Sequence, residues 1–326
     1  MSKDRLNAIV QALKPTYKSS KQWISSIIIN MVCGVVVRLH KQSSHKRKYN
    51  FSICAIFKNE SMYLKEWIEY HKIVGVSHIY LYNNFSNDDY ESVLHGYVND
   101  GYVTLKDWPF MYGQIGAYTD AYDSYKDETQ WLMFLDIDEY ICPKFENDIN
   151  VWIDKYKKYP SIVLYWLMFG TNGIIEENSS SRLVIEKYTH SWANIRNVGK
   201  IVLNTDYIPV KIYHHHIFCR IKLFGINFVI PMINENKKFI GYPGTEKCPN
   251  PSSIQINHYW SKSLSEYVLK ISKGEVYSKK NHEIRQSLDF FRWHELQNIS
   301  VNKVIWRFLI QLKIRINQID FRIDKD

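Results

Sequence analysis

Proline and glycine are scarce in this 326-residue chain, at 9 and 13, and no short period recurs. Collagen-like, low-complexity and repeat architectures are thereby excluded. Cysteine is sparse too: Cys33, Cys54, Cys142, Cys219 and Cys248 are odd in number and never form a C-x-x-C pair. They indicate neither a disulfide framework nor a thiolate zinc site, and they fit a reducing, cytosolic setting. Long apolar runs are missing as well. The best, Trp23 to Val37, has fifteen residues and includes Ser25, Ser26 and Asn30, short of the roughly 20 that span a bilayer. No cleavable signal with a small-residue site is visible.

Aromatics and aliphatics, by contrast, are plentiful. Hydrophobic residues make 45% of the chain and 24 Tyr, 15 Phe and 10 Trp make 15%, enough for a sizeable core. The net charge of +9 is unevenly spread: residues 1–49 hold ten of the 42 Lys and Arg and only one of the 33 acids, Asp4. The remainder is therefore neutral. A nucleic-acid-binding fold would carry its basic face on the folded domain, so no nucleic-acid partner is expected.

Both ends read as basic and amphipathic. Lys14, Lys18 and Lys21 precede the apolar leader, and Arg38, Lys41, Lys46, Arg47 and Lys48 follow it, a pattern suited to a helix on an anionic leaflet or packed on protein. At the other end Val301, Val304, Ile305, Phe308, Leu309, Leu312, Ile316 and Ile319 recur at helical steps, with Lys303, Arg307, Lys313 and Arg315 largely between them. One helix is expected there, covering the core or contacting a membrane or a second copy. The organisation read from this is an N-terminal segment 1–49, a body 50–300 and a C-terminal helix 301–326.

From Phe51 the body alternates apolar runs with helical stretches: 51–57, helix 61–74, 78–82, helix 88–99, 102–106, helix 113–126, and 131–135 leading into Asp136-Ile137-Asp138-Glu139. Later segments are less regular, with an expected strand at 161–166, apolar runs at 183–188 and 200–204, and helices at 263–273 and 281–297. This βαβαβ order predicts an α/β fold with a mixed, mostly parallel sheet flanked by helices. Such sheets bind ligands at the carboxyl ends of their strands. Lys58-Asn59-Glu60, then Asn83-Asn84 with Ser86 and Asp88, and finally Asp136 and Asp138 stand at three of those ends.

Asp-x-Asp is weak by itself, and a second copy lies in the charged tail at Asp324 and Asp326. Asp136 and Asp138 differ in following five apolar residues and pointing the same way from an extended strand end. Two carboxylates there suit a hard divalent cation, Mn²⁺ or Mg²⁺, with positions left for substrate phosphates. His258 is a candidate to add an imidazole and Lys262 a cation for phosphate oxygens. In the triplet His214-His215-His216, strand alternation would aim His214 and His216 to one face, with His216 an alternative ligand.

Taken together, residues 58–89, Gln114 to Tyr118, WLMFLDIDEYICP (131–143), YWLMFGTNG (165–173), GKIVL (199–203) and INHYWSKSLSEYVLK (256–270) resemble glycosyltransferase family 92. They span about 51 to 273 in order. The resemblance implies a GT-A, Rossmann-like fold and transfer of a hexose, often galactose, from a UDP-sugar with inversion. It implies donor-binding roles for Lys58, Asn59, Glu60, Asn84, Asp88, Gln114, Asp136 and Lys262, and metal contacts from Asp136, Asp138 and His258. The general base is not readable from the sequence; Glu246 and Glu177 are the candidates.

The expected partners are a UDP-sugar, a glycan or lipid-linked glycan acceptor, a membrane surface through the basic ends, and a second copy of the chain. Surface polysaccharide or lipooligosaccharide synthesis at the inner, cytoplasmic membrane face is the setting this suggests. Another metal-dependent nucleotide-processing enzyme, or a membrane-associated scaffold with a degenerate site, are the alternatives.

Overall fold

A computed structural model describes residues 20–42, 45–176, 182–241, 244, 246–272 and 287–319. The first strand, β1 (Tyr49–Phe57), is buried along most of its length, as a near-continuous apolar run requires when helices cover both faces. It pairs in parallel with β2 (His78–Asn83) on one side and β4 (Thr129–Phe134) on the other, and β2 pairs in parallel with β3 (Val103–Asp107). The crossovers are helices: α2 (Ser61–Ile73), α3 (Tyr90–Asn99) and α4 (Gln114–Tyr125), following α1 (Ser20–Leu39). Gly75 ends the first crossover at φ +93, and a Cβ there would lie 2.1 Å from Asp148 Oδ1, so only glycine fits.

Beyond β4 the sheet becomes antiparallel. Strand β8 (Gly199–Asn204) inserts between β4 and β6 (Ser161–Met168), antiparallel to both. The sheet continues through β11 (Ile226–Ile233) and β10 (Ile217–Leu223) to an edge at β9 (Ile208–Ile212), with the short β12 (Phe239–Ile240) on β11. At the carboxyl end the sheet branches, joining β5 (Glu139–Pro143) to β13 (Ile254–His258), which also runs parallel to β6. The short β7 (His190–Ser191) pairs with β14 (Ser300–Val301). The mixed α/β architecture is as expected, with its parallel order concentrated in the first four strands.

The apolar run at 183–188 is a single turn of helix, α6 (Val184–Lys187), which follows α5 (Ile149–Ile153) in the series. Two local expectations are corrected. The histidine triplet lies in the turn between β9 and β10, so strand alternation does not apply to it. The C-terminal helix is not continuous from 301: Ser300 and Val301 pair with β7, a 3₁₀ turn spans Val304–Phe308, and α9 (Leu309–Arg315) follows.

That segment packs on the body, with Ile305, Phe308 and Leu312 buried. Its cations are used internally: Lys313 binds Glu186 at 2.8 Å, Arg315 binds Glu69 at 3.1 Å, and Arg307 donates to the Lys144 carbonyl. Upstream of it are α7 (Leu264–Ser272) and α8 (Leu288–Glu295), the latter falling within the expected 281–297 helix, of which 281–286 lie outside the described residues. All five cysteines are free thiols. Among the described residues, no helix is long and apolar enough to cross a membrane.

Candidate active site

Strand β4 runs out at Phe134, and the next residues place Asp136 and Asp138 at the carboxyl end of the sheet before β5 begins with Glu139. Pairing of β13 with β5 sets His258 opposite Glu139. The result is a buried cluster in which Asp138, Glu139 and His258 offer ligand atoms all within 4.8 Å of one another. His258 Nε2 lies 3.6 Å from Asp138 Oδ1, and its Nδ1 lies 3.8 Å from Glu139 Oε1. Both that Nδ1 and that Oε1 are buried without a hydrogen-bond partner.

Asp136 is occupied differently. Its Oδ2 accepts from Lys200 Nζ at 2.7 Å, and its Oδ1 accepts from Gln114 Nε2 at 3.0 Å and Tyr118 OH at 3.3 Å. Lys200 reaches it from β8 because Gly199 lets β8 close on β6; a Cβ at Gly199 would lie 1.8 Å from the Leu164 carbonyl oxygen. The structure therefore groups Asp138 and His258 with Glu139, and ties Asp136 to a buried lysine.

Opposite charges set the protonation of these groups. Burial alone would raise the carboxyl of Asp136, but Lys200 outweighs it and holds it below the usual carboxylate range. Burial likewise opposes ionisation of Asp138, and Lys270 and His258 overcome it, keeping that group well below its ordinary value. For Glu139 burial wins, aided by Asp136 and Asp138 against Lys200, and its pKa is pushed well up. Burial lowers His258 despite Asp138, which favours the neutral, ligand-competent imidazole.

Two further lysines complete the wall. Lys270, on α7, pairs with Asp138 and donates to the Trp260 carbonyl at 3.0 Å. Its helix is fixed by a capping box: Glu266 accepts from Ser263 N at 2.9 Å, and Ser263 Oγ accepts from Glu266 N at 3.2 Å. Tyr188 donates to the same carboxylate at 2.6 Å, as does Tyr63. Lys262 is buried at φ +51, with Nζ 3.3 Å from the centre of the Tyr63 ring and 3.9 Å from Glu60.

The first two strand ends are fastened to each other. Asn59, at φ +54, donates its N–H to Ser86 Oγ at 3.0 Å and accepts from Asn87 N at 2.8 Å. Asp88 accepts from Ser61 N at 2.7 Å, serving the first turn of α2. Asn84 does not cap α3; its amide donates to the Trp108 and Phe110 carbonyls at 2.7 and 3.0 Å. Lys58 stands partly exposed beside them at the end of β1.

The remaining candidates lie elsewhere in the contact network. Glu246 pairs with Lys238 at 2.8 Å, and Glu177 falls outside the described residues. His216 stacks on Tyr213 at 4.2 Å. Within the triplet it is His215 that turns inward, with Nδ1 3.0 Å from the Gly199 carbonyl oxygen and its ring 4.9 Å from Trp166, itself 4.8 Å from His258. Sequence reasoning gave no role to Lys200 or Lys270; only the GKIVL and SLSEYVLK segments contained a signal for them.

A glycosyltransferase family 92 protein of Oryza sativa subsp. japonica is 31% identical over 106 residues, 32% of this chain and 18% of that protein. One of Ricinus communis is 30% identical over 147 residues, 41% of this chain and 25% of that protein. The chain thus spans a quarter or less of those relatives' length. Among solved structures, TarS of S. aureus in complex with UDP overlaps 48% of this chain and 47% of its own, at 17% identity and a TM-score of 0.31. The family model for glycosyltransferase family 92 matches residues 47–239, more than half of the sequence and every strand from β1 to β11, and the chain belongs to that family.

Proposed function

We propose that the protein transfers a hexose, galactose or a similar sugar, from a UDP-sugar to a hydroxyl of a glycan or lipid-linked glycan, with inversion. The observation that carries this reading is the buried Asp138, Glu139 and His258 cluster at the carboxyl end of the sheet, with its unpartnered Glu139 Oε1 and His258 Nδ1. Two oxygens and one imidazole nitrogen suit Mn²⁺ or Mg²⁺, and those orphaned atoms are what a bound ion would satisfy. Asp138, Glu139 and His258 would hold it. Such an ion supplies positive charge against a departing diphosphate.

The protein's own groups extend that field. Lys262 and Lys270 place two ammonium groups beside the cluster, where negative charge on a diphosphate would develop. Asp136, oriented by Lys200, Gln114 and Tyr118, is left to face the nucleoside, with Lys58, Asn59, Glu60, Asn84 and Asp88 shaping the loops on its far side. In the displacement, the acceptor oxygen forms a bond to the anomeric carbon as the bond to the diphosphate oxygen breaks. UDP leaves with the electron pair, and a carboxylate takes the hydroxyl proton.

Calorimetric titration of UDP with and without Mn²⁺, using wild type and Asp138→Asn, tests the donor site. Metal-dependent binding lost in the variant is expected. Equal binding by both proteins would overturn it. Screening UDP-hexoses for metal-dependent hydrolysis then names the sugar.

A further inference from the structure

The edge of the sheet opposite the acidic cluster carries a second surface. β1, β4 and β6 all point toward the cluster, so that opposite edge is where β6 begins and β8 ends. α1 lies across it. Asn30 donates to the Phe239 carbonyl and accepts from Phe239 N at 2.7 Å, the His40 ring lies tilted with its centre 4.9 Å from that of Tyr207 just past β8, and Gln42 donates to the Lys157 carbonyl just before β6. Cys33, Val36 and Val37 face inward.

The outward stripe of α1 is apolar. Ile28, Met31, Val32, Val35 and Leu39 follow helical spacing and are all exposed, Met31 to 67%. Large apolar side chains gathered in one stripe mark a binding surface.

A second apolar projection extends past the same edge. β11 meets β6 only at Ile233 and Ile162, at the very start of β6. Its seven preceding residues, at about 3.3 Å each, carry the β10–β11 hairpin roughly 23 Å past the start of β6. At its tip Phe224 is 87% exposed and adopts φ +50, a turn conformation that ordinarily goes to Gly or Asn. Ile226 beside it is exposed too.

Charge completes the pattern. A cavity of about 410 Å³ between α1 and the body is lined in part by Arg38, Lys158 and Lys237. Among the described residues these three have no carboxylate partner, and neither do Arg220 and Lys222 on the hairpin.

We propose that this edge docks on an anionic lipid bilayer, with the α1 stripe and the Phe224 tip entering the headgroup boundary and the lysines and arginines meeting lipid phosphates. An anionic leaflet is the partner that matches apolar projections flanked by unpaired cations. The docking face and the acidic cluster lie at opposite ends of the strands.

Flotation of the full chain with vesicles of phosphatidylcholine alone, and of phosphatidylcholine mixed with phosphatidylglycerol, is the test. Binding to the mixed vesicles only is expected. Arg38→Glu, Lys158→Glu and Lys237→Glu combined should reduce it at least about 100-fold, at about fivefold per basic residue, and Phe224→Ser by about tenfold.

UDP binding and melting temperature, read on each variant, report the fold separately. Should the triple reversal fail to fold, Phe224→Ser in its exposed turn reads the same partitioning. Equal flotation on neutral vesicles, or variants that float like wild type, would overturn the proposal. So would a dimer in solution that these substitutions dissociate, in the absence of any flotation, because the face would then belong to a second copy.

Discussion

Lys200 Nζ lies 2.7 Å from Asp136 Oδ2 and 3.7 Å from Glu139 Oε2, with the lysine side chain only 1% exposed. Burial alone would drive this ammonium toward neutrality, but the two carboxylates outweigh it and raise its pKa well above the ordinary lysine value. Lys200→Met leaves the buried Glu139 and the one-third-exposed Asp136 without their shared counter-charge. It should destabilise the fold by about 3–5 kcal/mol, the cost of breaking a buried pair from one side. Urea unfolding measures this, and a loss below about 1 kcal/mol would show the cluster to be solvated instead.

The grouping of ligand atoms separates Glu139 from Asp136. Glu139→Gln and His258→Ala should each weaken Mn²⁺-dependent UDP binding at least about tenfold, the lower bound seen when even an outer partner of a metal site is lost. Chelation with EDTA should have the same effect on the wild type. Metal-dependent binding that tolerates Glu139→Gln but not Asp136→Asn would show that the pair in the D-x-D triplet holds the ion.

Glu66 on α2 is buried, with its carboxylate accepting from Val184 N at 2.8 Å and Ile185 N at 3.2 Å. Burial dominates and pushes its pKa up to about 7. A carboxyl raised in the folded state binds its proton more tightly there than in the unfolded chain. Its contribution is therefore fully present below about pH 4.5 and is lost as pH rises toward 7.

His71, lowered to about 3 by burial, works in the opposite sense over part of that range, so the wild-type profile alone does not isolate Glu66. The difference in melting temperature between Glu66→Gln and wild type does. It should shift in favour of the variant as pH rises from about 5 to 8. A difference independent of pH would mean that Glu66 is ionised throughout.

The C-terminal segment acts as part of the core. Leu312→Ala should cost about 2–5 kcal/mol, as for other buried leucines. Ile310→Ala, two residues away and 67% exposed, should change stability by less than about 0.5 kcal/mol. Similar small effects at both positions in thermal unfolding would detach this segment from the fold.

Much of this was legible in the residues. The apolar runs that become β1, β2 and β4 are long, unbroken and followed at once by polar strand ends, so the sheet and the position of Asp136 and Asp138 could be read directly. Lys200 could not. It sits in the six-residue strand β8, and its partner lies 64 positions earlier, so nothing local distinguishes a buried counter-ion from an outward-facing lysine.

The histidine triplet misled for a related reason: three adjacent imidazoles suit a strand or a turn equally, and the pairing of Ile212 with Ile217 closes the chain there into a turn. The tail failed at its first residues because Ser300 and Val301 gain ladder hydrogen bonds from β7, which helical periodicity does not register.

The interlocking of Asn59, Ser86, Asn87 and Asp88 has a thermodynamic consequence. Loops that order only around their ligand lose conformational freedom at the moment of association, and affinity falls accordingly. Here the ends of β1 and β2 hold one another through side-chain and backbone hydrogen bonds within the chain itself. That ordering entropy is already lost when the chain folds, so the cleft behaves as a rigid mould, and the heat of binding there should report new contacts rather than loop closure.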